Sequence, residues 1–376
     1  MPNPFDGLRP ALQMIAQEAR VLPATGQAVE DLMRPDHEEV VDRLRMGDER
    51  ALDVVLETPN RQPYVKVRPL HRTTRHPLRY FLDGSARTFF LGDVVEGTRR
   101  SPVHVAQVGA AAVFRRDTGQ VRIAQAVHRI FLMMDKRAIS FGEDVEDVVG
   151  KAGPRFGFRD MMAPDGETEQ TAAGKEPRSR AAHKAHHLMA QEEEKLGRQL
   201  ARREGDWLVL DGSLGKDLHS WHSVERFFGV TKSFSREPLF KLPGARGGKT
   251  INLYELLASL PFSARTCAFS ARSGKVVVWY VRLREQRHLD YPLMGVIKVE
   301  LPNPTTGAIA SELINDVSAA LVAERQVTPH GRDIRWHAHL YSIFLAEQTV
   351  KGGFVSTEAL KAGLRWPVTS QIDSSP

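Results

Sequence analysis

The tetrapeptide Leu-Asp-Gly-Ser occurs twice, at 82–85 after Leu78-Arg79-Tyr80-Phe81 and at 210–213 after Trp207-Leu208-Val209. Each copy follows an apolar run that reads as the end of a strand. Side chains alternate along a strand, so Asp83 shares a face with Phe81 and Arg79, and Asp211 shares one with Val209 and Trp207. An Asp at a buried strand end, followed by Gly, is placed to hold a hard divalent cation, because glycine lets the backbone turn and approach a ligand closely. The competing explanation is turn chemistry, in which Asp and Gly predominate. Repetition of the whole tetrapeptide after two apolar runs leaves both explanations standing.

A second source of carboxylates is the run Glu192-Glu193-Glu194. On a helix, Met189, Glu193, Leu196 and Leu200 fall on one face, so Glu193 points toward the packed side. Glu194 shares its face with Ala190, Gly197 and Ala201, which are small enough to meet a sheet, while a solvated acidic face is the ordinary alternative for any of the three. One such Glu beside Asp83 and Asp211 makes a three-carboxylate cluster, unfavourable unless a cation compensates it. An all-oxygen donor set suits Mg²⁺ or Mn²⁺, and a pair of such ions activates water and stabilises the leaving oxygen of a phosphodiester. Gly229-Val230-Thr231-Lys232 adds a cation, with Ser233, Ser235 and Arg236 nearby, although an isolated lysine is more often a solvated one. At 337–348 His339, Tyr341 and Glu347 share one helix region, where Leu340, Ile343, Phe344 and Val350 account for the packing and the polar groups read as exposed.

Two further stretches carry no chemistry on this reading. Residues 243–250 imitate a phosphate-binding loop, but Pro243 stands where the first Gly is needed and no apolar strand precedes it. At His183, His186 and His187 no metal site is expected.

The elements that must position these residues change character along the chain. Residues 1–65 read as an N-terminal helical region, from the spacing of Val40, Val41, Leu44, Ala51, Leu52, Val55 and Leu56. Residues 63–76 form a basic, extended connection. Short apolar runs at 78–83, 88–95, 103–114 and 121–134 predict a strand meander with a turn at Asp117-Thr118-Gly119-Gln120. Residues 150–182 are rich in Gly, Pro and charge and predict a long surface loop. A helix follows at 181–204, stopped by Gly205, then strands at 207–213, 264–270, 275–284 and 294–300 and helices at 306–324 and 338–350. The pattern predicts a mixed α/β fold, with one central sheet flanked by helices over 66–350 and a tail at 351–376.

Composition limits the alternatives. With one cysteine, Cys267, a disulfide framework or a cysteine-based zinc site within one chain is excluded. No stretch approaches 18 consecutive apolar residues and the start lacks a secretory pattern, so no membrane association is expected and the cytoplasm is the expected compartment. The net charge of +6 permits a nucleic-acid partner without requiring one.

Taken in order, FLDGSARTFFLGDVVEG, the meander, the Glu-bearing helix, LVLDGSL, GVTKS and the late helix resemble the NurA nucleases over residues 78–350. The resemblance implies an RNase H-like core and a Mn²⁺-dependent (or Mg²⁺-dependent) nuclease acting on single-stranded DNA and DNA ends. It also implies a homodimer docked on a hexameric ATPase translocase of the HerA type, in end resection or anti-phage defence. By resemblance Asp83 and Asp211 are the metal-binding aspartates. The family's Glu falls within 192–194, with Glu193 favoured by its inward face and Glu194 kept open, and Lys232 matches the lysine of a G-V-S-K-like segment. Relatives carry a Tyr and a later His near the C-terminus. Here His339 and Glu347 stand in those places, with Tyr341 available after a small shift. Arg87 and Lys232 would place the phosphodiester, and Phe89, Phe90, Trp221 and Phe228 are available for stacking, although each suits a core as well. The alternative of another class is a DNA-binding adaptor of the ATPase complex without metal-dependent cleavage; a nucleotide-binding ATPase on a related core is disfavoured by the missing phosphate loop.

Overall fold

A computed structural model describes residues 3–28, 56–58, 63–71, 74–163, 177–214, 221, 225–236, 239–241, 250–287, 290–325 and 335–367. The first strands are β1 (Arg20–Ala28), β2 (Glu57–Thr58), β3 (Tyr64–Lys66), β4 (Leu78–Glu96), β5 (Arg99–Arg115), β6 (Val121–Met134) and β7 (Phe156–Asp160). The next are β8 (Trp207–Asp211), β9 (Phe227–Thr231), β10 (Leu239–Lys241), β11 (Thr250–Asn252), β12 (Ala264–Thr266) and β13 (Phe269–Ala271). The last are β14 (Val276–Arg282), β15 (Val296–Pro302) and β16 (Ile309–Ala310). The helices are α1 (Arg9–Glu18), α2 (Gly142–Gly150), α3 (Pro177–Gln199), α4 (Leu253–Ala258), α5 (Ser311–Glu324), α6 (Tyr341–Gly353) and α7 (Thr357–Gly363).

Twelve strands form one mixed sheet in the order β3-β12-β14-β15-β9-β8-β4-β5-β6-β7, with β1 also on β4 and β13 on β14. The predicted meander is present as the antiparallel set β4-β5-β6. β8 then lies parallel to β4 and β9 parallel to β8. The fold is therefore mixed α/β, a large sheet with helices on both faces. On one face Phe81, Val209 and Trp279 pack with Ile314 and Val317 of α5 and Ile343 and Ala346 of α6. On the other, Tyr80, Leu82 and Leu208 pack against Leu196 of α3. Small side chains let helices approach the centre: Ala110, Ala111 and Ala112 of β5 are fully buried, and a Cβ at Gly109 would meet Val350 of α6 at 3.0 Å.

Several elements differ from the sequence reading. Within 1–65 the helical residues among those described are α1 and the short 3-10 turn Asp6–Leu8 that leads into it; β1 is a strand on β4, and residue 65 lies inside β3, which pairs with β12. The helical spacing at 40–55 falls outside the described residues, as does most of the 243–250 stretch. The predicted loop at 150–182 contains β7, paired to β6, and the first turns of α3, while 164–176 lie outside the described residues. The predicted tail contains α7, whose Leu360 is fully buried beside Phe5, Leu8 and Leu12. These segments escape a local reading because their burial comes from chain-distant partners. No helix among the described residues is long and apolar enough to cross a membrane.

Candidate active site

β4 does not stop at Asp83. It continues as one strand to Glu96, because Gly84 to Thr88 stay laddered to β5, with Gly84 opposite Ala110. The strand that ends is β8. Its parallel pairing with β4 runs to Leu82 opposite Leu210, and Asp211 is its last residue. β1 joins the same edge of β4 only from Phe89, which pairs with Ala28. Among the described residues, 83–88 of β4 therefore have a strand on one edge only, and Asp83 and Asp211 stand where this notch begins. Asp211 also lies opposite Val230 of β9, which places Lys232 just past the end of β9. The chain turns out of β8 at Gly212, whose φ is +96°. A Cβ at Gly229 would stand 2.6 Å from the Gly212 carbonyl oxygen, so only glycine lets β9 pass that turn.

Charge is concentrated here. Asp83 is 6% exposed. Burial, and then the neighbouring Asp211 carboxylate, push its pKa well above the usual carboxylate range; Lys232 opposes this, and Glu347 and Glu193 add to it. Lys232 Nζ donates to Asp211 Oδ2 at 2.7 Å. Asp211 Oδ1 is buried and accepts no hydrogen bond among the described residues. Glu347 reaches the cluster from α6. Burial works to raise its pKa, but a hydrogen bond from Lys351 at 2.5 Å, then Lys232 and His339, hold it below the ordinary value. His339, buried just ahead of α6, is thus a neighbour of Glu347.

The three glutamates of α3 separate. Gly84 faces the side of β4 opposite to Asp83, and a Cβ there would stand 2.8 Å from Glu193 Oε1 and 2.7 Å from Met189 Cγ. Glu193 therefore approaches the cluster across the sheet, over a glycine, beside the notch. Glu192 accepts from Arg129 at 2.9 Å, and Glu194 accepts from Arg198 at 3.1 Å one helical turn away. Of the three, Glu193 stands over Gly84 of β4, while Glu192, the most buried at 6% exposed, is taken by Arg129 of β6, and Glu194 pairs with Arg198. Arg87, on the Asp83 face, places its guanidinium 5.6 Å from the centre of the Phe354 ring. Tyr341, the first residue of α6, is 47% exposed. Among the aromatic candidates, Phe89 and Phe228 are fully buried and Trp221 stacks on Phe227.

Sequence reasoning missed what holds α6 in place. Glu324, the last residue of α5, is 4% exposed. Its Oε1 accepts from the Ser342 backbone N–H at 3.2 Å and Ser342 Oγ at 2.7 Å, so a carboxylate caps the positive end of α6. Arg115 of β5 donates to both Glu324 and Ser342. No local signal marks Glu324, since the residues that use it lie in another helix and another strand. His76 stands at the rim of this network, 3.8 Å from Glu324. Burial, then the Arg115 charge, lower its pKa from 6.5 to about 4. Its neutral form belongs to the folded state, so its contribution to stability is complete above about pH 6.5 and is lost as pH falls through about 4. We expect His76→Gln to flatten the stability profile over that window, by on the order of 3 kcal/mol, read from urea midpoints at stepped pH.

Among the described residues no three His, Cys, Asp or Glu side chains stand ready to hold a metal as they are. Lys232 covers one Asp211 oxygen, Lys351 takes Glu347, and Glu193 comes from the other face. The donor chemistry nevertheless fits a hard divalent cation: two adjacent carboxylates, one buried and one partly buried, a buried Asp211 oxygen with no hydrogen bond among the described residues, and an Asp83 whose charged form is disfavoured by burial and by Asp211. No protein-family model matches the chain, and no curated protein resembles it at a significant level.

Proposed function

We propose that this chain is a metal-dependent nuclease that hydrolyses phosphodiesters in DNA, single strands and ends in particular, on an RNase H-like core. The observation that carries the reading is the pair of neighbouring carboxylates at a notch in the sheet, Asp83 buried and Asp211 partly buried, with one Asp211 oxygen accepting no hydrogen bond among the described residues. Asp83 and Asp211 would hold Mn²⁺ or Mg²⁺, with Glu193 and Glu347 as the further carboxylates within reach of the same field. When bound, such an ion lowers the pKa of water and neutralises charge at the phosphorus. Lys232 is the counter-charge of Asp211, and with a cation held by the aspartates its ammonium would be placed to meet a phosphate oxygen. Arg87, held over Phe354, supplies a second positive group on the same face. His339 sits beside Glu347. The HerA-type ATPase and the homodimer implied by the sequence resemblance belong to this reading as partners.

A DNA-binding adaptor without cleavage remains a second reading, favoured by the Lys232–Asp211 pair, which already neutralises one carboxylate. Labelled single- and double-stranded DNA incubated with Mn²⁺, Mg²⁺ or EDTA separates the two. Cleavage that requires the metal supports the nuclease. Intact DNA under all conditions, with and without the ATPase, together with retained binding, replaces it by the adaptor.

A further inference from the structure

We propose that the loops just beyond Lys232 form a stacking face for single-stranded nucleic acid, leading a strand toward Asp83 and Asp211. The inference rests on the nuclease reading for its direction, but not for its chemistry. β9, the hairpin between β14 and β15, and the segment ahead of α6 all end on this side of the sheet, since Thr231 of β9 pairs with Lys298 of β15. The loops are tied together. Arg335 donates to Ser233 Oγ at 3.2 Å, next to Lys232. The Gly295 backbone N–H donates to His337 Nδ1 at 2.9 Å.

On this frame sit arginines paired with aromatic rings. The Arg284 guanidinium lies 4.3 Å from the Trp336 ring centre, and that of Arg236 lies 5.4 Å from the Tyr291 ring centre. Arg236 is exposed and Tyr291 is 44% exposed, so this second pair is not core packing. Nε and Nη2 of Arg284 have no hydrogen-bond partner among the described residues. Burial and the nearby Arg325 charge hold the Arg284 pKa below the ordinary guanidinium value, so its positive charge lacks compensation. The acidic residues of the hairpin are Glu285 and Asp290, and Asp290 is occupied in accepting the Arg287 backbone N–H at 2.8 Å.

Two aromatic rings, each with a guanidinium group against it, suit a polymer that alternates planar bases and phosphates. Bases stack on any exposed ring face, and arginine adds both stacking and charge. A duplex hides its base faces and offers phosphates and groove edges instead.

The test uses the full chain in EDTA, with fluorescence anisotropy on oligodeoxyuridine and oligouridine of about 16 nucleotides and on a duplex of equal length. Tyr291→Ala and Arg236→Ala change exposed side chains and are expected to keep the wild-type melting temperature. Each should weaken single-strand binding about five- to tenfold, and Arg236→Ala should lower the salt slope of binding by about 0.7. The tighter of the two oligonucleotides identifies the sugar. Unchanged binding in both variants, no wild-type binding to either single strand, or equal losses on duplex and single strand overturns the stacking face. Because EDTA removes the metal, the two ideas fail separately. A chain that binds through these residues and never cleaves loses the nuclease alone. A chain that cleaves while both variants bind normally loses the stacking face alone.

Discussion

Asp83→Asn is expected to raise the melting temperature of the metal-free protein while reducing metal-dependent cleavage by at least about a thousandfold. The opposite signs share one cause. Asp83 is buried against Asp211, and burial together with that like charge makes its ionised form unfavourable. Asn keeps the shape and removes the charge, so the fold gains about 2 °C or more, while the site loses the oxygen donor on which cation binding depends. The sign with pH follows from the raised pKa. Below the ordinary carboxyl range Asp83 is protonated in both folded and unfolded chains, and wild type and variant match. As pH rises, the unfolded chain releases the proton first, wild-type stability falls, and the advantage of Asn grows. Melting curves at stepped pH in EDTA, and again with Mn²⁺, check both halves. Wild type should gain stability from Mn²⁺ by mass action and the variant should not. A variant less stable than wild type at neutral pH would remove the account of a strained carboxylate pair, and a Mn²⁺ response equal to wild type would remove Asp83 as a ligand.

Glu57→Ala is expected to cost about 3–5 kcal/mol of stability. Glu57 and Arg265 have fully buried side chains and meet in a two-pronged pair, with Arg265 Nη1 donating to Oε2 at 2.9 Å and Nη2 to Oε1 at 2.5 Å. Glu57 also accepts the Ala268 backbone N–H at 3.0 Å. Removing the carboxylate leaves a guanidinium in the interior with Asn315 and the Thr266 carbonyl as its remaining partners. Replacing both residues with apolar side chains of similar volume should recover most of the loss, because the cost lies in the uncompensated charge. Urea unfolding of the single and double variants measures this, with an unchanged slope showing that only stability has moved. A single variant within about 1 kcal/mol of wild type would mean that water reaches this pair.

The same contrast between local and distant causes runs through the molecule. Alternation along β4 and β8 placed Asp83 with Phe81 and Asp211 with Val209, and in the structure those apolar partners share one core. The helical period on α3 put Glu193 over Gly84, although Glu192, held by Arg129, is the more deeply buried of the run. Both inferences needed only the geometry of one segment, which its own residues fix. The meander β4-β5-β6 was legible for a related reason, since antiparallel neighbours joined by tight turns are local in sequence.

The notch was not legible. It exists because β8 stops level with Leu82 and β1 starts level with Phe89, and the register between such distant segments is set by how their side chains pack in a shared core. The capping of α6 by Glu324 and the Arg284–Trp336 pair likewise join segments separated along the chain. The sequence by itself determined which side chains share a face and the mixed α/β class. Tertiary packing decided which faces meet, where a strand edge lies open and which cation stands on Asp211, because those outcomes depend on long-range burial that no single segment encodes.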